Sequence, residues 1–150
     1  MNDGPRHRGR RAAISMLYQA DLSGDGSESV IRAYFGGLAQ EELEEDARRF
    51  AEHLFRGTRV RRDEIDTLIR AGSEHWRLER MAAVDRNVLR LALFELHDEP
   101  GTPAAVILDE AGELAKYYGG EESGAFVNGV ADGIRRRLDT GQLKRGPKDV

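Results

Sequence analysis

Apolar residues recur along this chain at spacings of three and four, the mark of amphipathic helices that bury one face. Ala13, Ile14, Leu17, Tyr18 and Ala20 trace the first stripe. Ser23-Gly24-Asp25-Gly26-Ser27 breaks it, with Ser27 suited to cap the next helix. Val30, Ile31, Tyr34, Phe35 and Leu38 form a second stripe, closed by Gly36-Gly37. The acidic stretch from Glu41 to Asp46 favours the positive end of a third helix, in which Leu43, Ala47, Phe50, Ala51 and Leu54 share a face until Gly57 interrupts. Ile65, Leu68 and Ile69 predict a fourth. Beyond Trp76, Leu78 and Met81, the run Val84, Val88, Leu89, Ala92, Leu93, Phe94 and Leu96 is apolar on most sides, which predicts a central, buried helix. Pro100 and Gly101 end it. Thr102-Pro103 starts the next, with proline at the first helical position, and Ile107, Ala111, Leu114 and Tyr118 continue its buried stripe to Gly119-Gly120. Phe126, Val127, Val130, Ala131, Ile134 and Leu138 define the last. No segment sustains the two-residue alternation of a strand. The fold class expected is all-α, a compact bundle of about seven helices over residues 12–138.

The ends read differently. Residues 1–11 place Arg6, His7, Arg8, Arg10 and Arg11 against the single acid Asp3, with Gly4, Pro5 and Gly9 interleaved, and predict a flexible basic arm. Residues 139–150, polar and broken by Gly141, Gly146 and Pro147, predict a disordered tail. At 150 residues the whole fits one domain.

Composition then removes function classes. Cysteine is absent, which excludes disulfides, thiolate nucleophiles and cysteine-ligated metals. The basic start is followed by no apolar signal core, and no apolar run approaches the roughly 18 residues of a membrane span; a cytoplasmic setting without membrane contact is expected. Asp21, Ser23, Asp25 and Gly26 imitate the start of a calcium-binding loop, but Arg32 stands at its twelfth position, where a bidentate glutamate is required. His7, His53, His75 and His97 are scattered, with no pair at metal-ligand spacing. Asp109 and Glu113 share a helix face, as a solvated surface provides without any acid/base chemistry. No phosphate loop or nucleophile elbow is present. The expectation is a binding protein rather than an enzyme, with no cofactor and no metal.

Net charge is −4, yet the cations are clustered and, apart from Lys116, Lys144 and Lys148, are all arginine. The planar guanidinium suits phosphate oxygens and stacks on bases, and arginine-rich arms that fold on binding are a known route to RNA. Two further clusters lie at Arg56, Arg59, Arg61 and Arg62, and at Arg135, Arg136 and Arg137, the latter at a helix C-terminus that favours cations by itself. Phe126-Val127-Asn128-Gly129 adds two points. Gly129 sits inside an apolar helix, where it suggests close approach of a neighbouring backbone. Phe126, near a helix N-terminus, fits either a core position or a surface ring that stacks on an unpaired base.

Four ordered motifs make the pattern specific: Ala-x-x-x-Leu-Tyr-Gln at 13–19, Val84-Asp85-Arg86-x-Val-Leu-Arg-Leu-Ala-Leu-Phe-Glu-Leu96, Asp109-Glu110-Ala111-x-Glu113-Leu114-Ala115-Lys116 and Phe126-Val-Asn-Gly-Val130. Over about residues 8–138 the chain resembles the NusB family of bacterial transcription antitermination factors. The resemblance implies two small helical sub-bundles and binding to the boxA element of nascent ribosomal RNA, jointly with the ribosomal protein called NusE in that role. It also implies work within a transcription elongation complex of RNA polymerase and other Nus factors. Carried over by position, it implies an RNA face of Arg6, Arg8, Arg10, Arg11, Tyr18 and Phe126, with the charge of Glu122 tempering affinity. The chain departs from the family at Asp109, where asparagine is usual, at Gly112 and at Ala131; the first changes surface charge and the others packing. Two other readings stay open: a NusB-like accessory domain of a ribosomal RNA methyltransferase, which would need a cofactor-binding domain beyond Val150, and a helical self-association module. A homodimer is open too, because a dimer surface and a partner surface look alike in sequence.

Overall fold

The computed structural model describes residues 4–39, 42–73, 76–98 and 101–143. Among them the chain forms seven α-helices and no strand: α1 Pro5–Ser23, α2 Ser27–Ala33, α3 Glu45–Val60, α4 Arg62–Gly72, α5 Ala83–Asp98, α6 Ala104–Gly119 and α7 Glu121–Asp139. A π turn, Tyr34–Leu38, extends α2, and a 3-10 turn, Leu78–Arg80, precedes α5. The helices divide into two compact units, residues 1–59 and 60–150.

In the first unit, α1 begins at Pro5 rather than at Ala12, so the basic segment expected to be a flexible arm is helical from its fifth residue. Two local causes act together. Gly4 is extended and Pro5, at the first helical position, has its φ already set for a helix. Gly9 then lets α1 lie against α3: a Cβ there would stand 2.9 Å from the Phe50 ring and 3.1 Å from the Ala47 carbonyl oxygen. The buried apolar residues of this unit include Ala13, Ile14, Met16 and Leu17 of α1, Val30 and Ile31 of α2, and Ala47, Ala51, Leu54 and Phe55 of α3. Gly24, at φ +73°, ends α1 in the left-handed conformation that glycine adopts without strain. Ser27 caps nothing: Gly26 holds the N-cap position of α2 and no side chain bonds there. Gly57 does not interrupt α3, which runs on to Val60 because Leu54, Phe55 and Thr58 continue its buried face across it.

In the second unit α5 is the central helix, with α4, α6 and α7 packed around it. Asp85 and every residue from Asn87 to Glu95 are buried, as a stripe apolar on most sides requires. The charged members of that run need partners, and Arg90 has one on α4. It donates from Nε to Asp66 Oδ1 at 2.8 Å and from Nη2 to Asp66 Oδ2 at 3.1 Å. Helices α6 and α7 pack tightly against each other, and the glycine that permits it is Gly124, not Gly129. A Cβ on Gly124 would lie 3.1 Å from the Gly112 carbonyl oxygen and 3.1 Å from Lys116 Cβ, whereas one on Gly129 meets nothing within 4 Å. Gly112, a departure from the family pattern, is thus one side of this crossing. Gly72 makes the corresponding approach of α4 to α7, where a Cβ would land on the Ile134 side chain. Tyr118, expected on the buried stripe of α6, is 37% exposed instead, in the last turn next to Tyr117. The helix ends at Asp139, and the rest of the tail expected to be disordered, residues 144–150, lies outside the described residues.

Candidate nucleic-acid interface

Helix geometry sorts the arginines of α1 by face. Arg6 and Arg10 are four apart and both approach Phe50 of α3, their guanidinium carbons 4.1 Å and 5.4 Å from the ring centroid. Arg6 is exposed while Arg10 is only 3% exposed. The Arg10 cation is therefore held inside the unit, which corrects the expectation that all four arginines are available to a ligand. Arg8 and Arg11 lie on another face. Together with Ser15, Tyr18 and Leu22 they follow the alternating three- and four-residue steps of a single stripe, partly exposed at its start and open at its end, where Tyr18 is 44% exposed. Arg8 reaches Glu44 at 3.1 Å, an exposed ion pair that water and salt weaken.

The other clusters are engaged within the chain. Arg56 donates to both carboxylate oxygens of Glu28 at 2.8 Å and to Glu52 at 3.1 Å. That bond holds the Glu28 carboxyl below its ordinary value of 4.5. Arg59 donates to the Asp25 carbonyl, Arg61 to Glu64, and Arg62 lies 3.6 Å from Asp66. Arg135 and Arg136 both bind Asp132, and Arg137 donates to the Ala71 carbonyl at 2.9 Å. These arginines tie helices together or balance neighbouring carboxylates, so charge clustering in sequence overstates the positive surface.

In the second unit Glu122 is exposed in the first turn of α7, beside Glu121, where carboxylates complement the helix N-terminus. Phe126 follows one turn later and is half-buried, between the two alternatives the sequence left open. Its ring meets Trp76 edge to face, with centroids 5.4 Å apart and planes at 80°. Trp76 was not among the expected site residues; a lone tryptophan in a polar stretch was the one signal for it. Asp109 and Glu113 are both exposed on α6, in keeping with a solvated face. Among the described residues no group of three or more His, Asp or Glu is placed to hold a metal ion, and no helix is long and apolar enough to cross a membrane.

Comparison with known proteins decides what kind of chain presents these faces. The model of the NusB family matches residues 7–136. The chain belongs to the NusB family. It is 41% identical over 142 residues to the transcription antitermination protein NusB of Koribacter versatilis, covering 95% of this chain and 96% of that one. It is 46% identical over 135 residues to the NusB of Sorangium cellulosum, covering 90% and 94%. Among solved structures, T. maritima NusB superposes with a TM-score of 0.79 at 36% identity, over 95% of this chain and all of that one. A crystal structure of antitermination factors NusB and NusE in complex with dsRNA superposes with a TM-score of 0.71 at 28% identity, over 88% and 96%. The resemblance drawn from four motifs, and the all-helical fold it implied, are thereby established.

Proposed function

We propose that this chain is a transcription antitermination factor that binds the boxA element of nascent ribosomal RNA together with the ribosomal protein NusE. The observation that carries this reading is family membership along nearly the whole chain, including relatives described as transcription antitermination proteins. The similar NusB–NusE structure with RNA supports both kinds of partner. In this reading the chain joins RNA polymerase and other Nus factors in the elongation complex, acts in the cytoplasm, and works by binding rather than catalysis. Arg6, Arg8 and Arg11 supply the cationic contacts to phosphate. Tyr18 and Phe126 offer rings to bases, and Glu122 restrains affinity by repulsion. Arg10 acts behind them, holding α1 in place. A chain of net charge −4 has limited capacity for phosphate alone, so RNA affinity should rise when NusE is present. By reciprocity RNA must then strengthen the protein–protein contact by the same factor. Mobility-shift titrations with a boxA RNA, with and without saturating NusE, test this. Equal affinity in both arms would remove the joint-binding reading, and absence of RNA binding in either arm would leave a helical self-association module.

A further inference from the structure

We infer that Trp76, with Arg77 and Arg80 beside it, is a second base-stacking position for single-stranded RNA, adjoining Phe126 on the same unit. The inference rests on the RNA-binding reading above and adds residues which that reading does not contain. Trp76 is the chain's only tryptophan and is 60% exposed, which is unusual for the largest apolar side chain. Its exposure is built in. The Trp76 amide donates to the Ser73 carbonyl at 2.9 Å, and the buried Ser73 hydroxyl donates to the Ile69 carbonyl of α4 at 2.5 Å. These bonds tie the Trp76 backbone to the end of α4, with the ring exposed.

The Phe126 contact fixes the ring's direction. An edge-to-face pair at 80° uses the edge of one ring against the face of the other and leaves indole surface open to solvent. Two cations follow it in the chain. Arg77 precedes the 3-10 turn and Arg80 ends it, both exposed, while Glu79, the carboxylate between them, is bound by Arg70 at 3.0 Å. An exposed aromatic ring with exposed arginines one and four residues on, the carboxylate between them being paired, is the combination that tracks single strands: rings for successive bases and cations for the backbone between them.

The single tryptophan makes the test direct. Trp76 fluorescence should be quenched on titrating a single-stranded boxA-type oligonucleotide into the full chain, with and without NusE. Trp76→Ala should weaken binding roughly five- to 150-fold while leaving the salt slope unchanged, and Trp76→Phe should restore much of the loss. Arg77→Ala should instead flatten the slope by about 0.7 per lost phosphate contact. A thermal melt of each variant checks folding, which an exposed ring and an exposed cation should leave intact. RNA binding that depends on Arg6 and Phe126 but leaves Trp76 fluorescence and Trp76→Ala affinity unmoved would overturn this inference and spare the proposed function. No RNA binding by the unaltered chain would remove both. Loss of NusE binding or of self-association in Trp76→Ala, with RNA affinity intact, would assign the ring to a protein surface and overturn the inference as well.

Discussion

Asp66→Ala should be among the most damaging substitutions in the second unit, because of what it leaves behind. Arg90 is 4% exposed and Asp66 8%, and the two are joined by a two-pronged pair between α5 and α4. With charge centres about 4 Å apart and an effective dielectric near 20, their attraction is about 4 kcal/mol. Removing two charges from water costs several kcal/mol per ion, so the intact pair contributes little net stability. Truncating one partner is not symmetric with that small sum. Asp66→Ala takes both carboxylate oxygens from a buried guanidinium that also meets the Asn87 side-chain oxygen at 3.2 Å, and should cost about 3–5 kcal/mol. Arg90→Met should cost less, because Arg62, 46% exposed, already stands 3.6 Å from Asp66. The double variant Asp66→Leu with Arg90→Met should return to within about 1 kcal/mol of the parent or exceed it. Urea unfolding followed by helix circular dichroism and by the fluorescence of Trp76, which lies in the same unit, measures all three. A loss below about 1 kcal/mol for Asp66→Ala, or a double variant as unstable as that single one, would refute the desolvation argument.

Four other outcomes follow from the geometry. Gly129→Ala, in open space, should raise stability by about 0.4–1 kcal/mol, whereas Gly124→Ala should lower it by about 1–3 kcal/mol by forcing α6 and α7 apart; denaturant midpoints compare them. Phe126→Ala, half-buried, should lose less than the about 3–5 kcal/mol of a core phenylalanine while weakening RNA by about 1–3 kcal/mol with an unchanged salt slope; unfolding and binding measured on one variant separate the two effects. Arg6→Ala should flatten the salt dependence of RNA binding by about 0.7 with little loss of stability, while Arg10→Ala should act through the fold and cost about 1–3 kcal/mol in a melt. The Glu28 carboxyl is lowered from 4.5 by Arg56, so its contribution to stability is full above that value and is lost as pH falls through the lowered one; a carboxyl titration followed by nuclear magnetic resonance should show it move back toward 4.5 in Arg56→Ala.

The sequence by itself determined the helices, the central place of α5 and the family. The reason is that these are local: three- and four-residue periodicity records which side of a helix is apolar, and the motifs are read in order along the chain. Periodicity does not record which neighbour covers that side, and this is where expectation and structure part. Gly129 looked like the close contact because it interrupts an apolar helix, yet closeness is a property of two helices, and Gly124 faces Gly112 across the crossing. The basic segment looked like an arm because arginine and glycine are polar and flexible in isolation. Gly9 against Phe50 turns it into the first turns of α1, burying Arg10 while leaving Arg6 outside. Charge behaved in the same way. Arg56 finds Glu28 and Arg90 finds Asp66, partners 28 and 24 positions away that no local window contains. Only the tertiary structure could decide which cations were left for a ligand, because pairing depends on distance in space and is blind to distance along the chain.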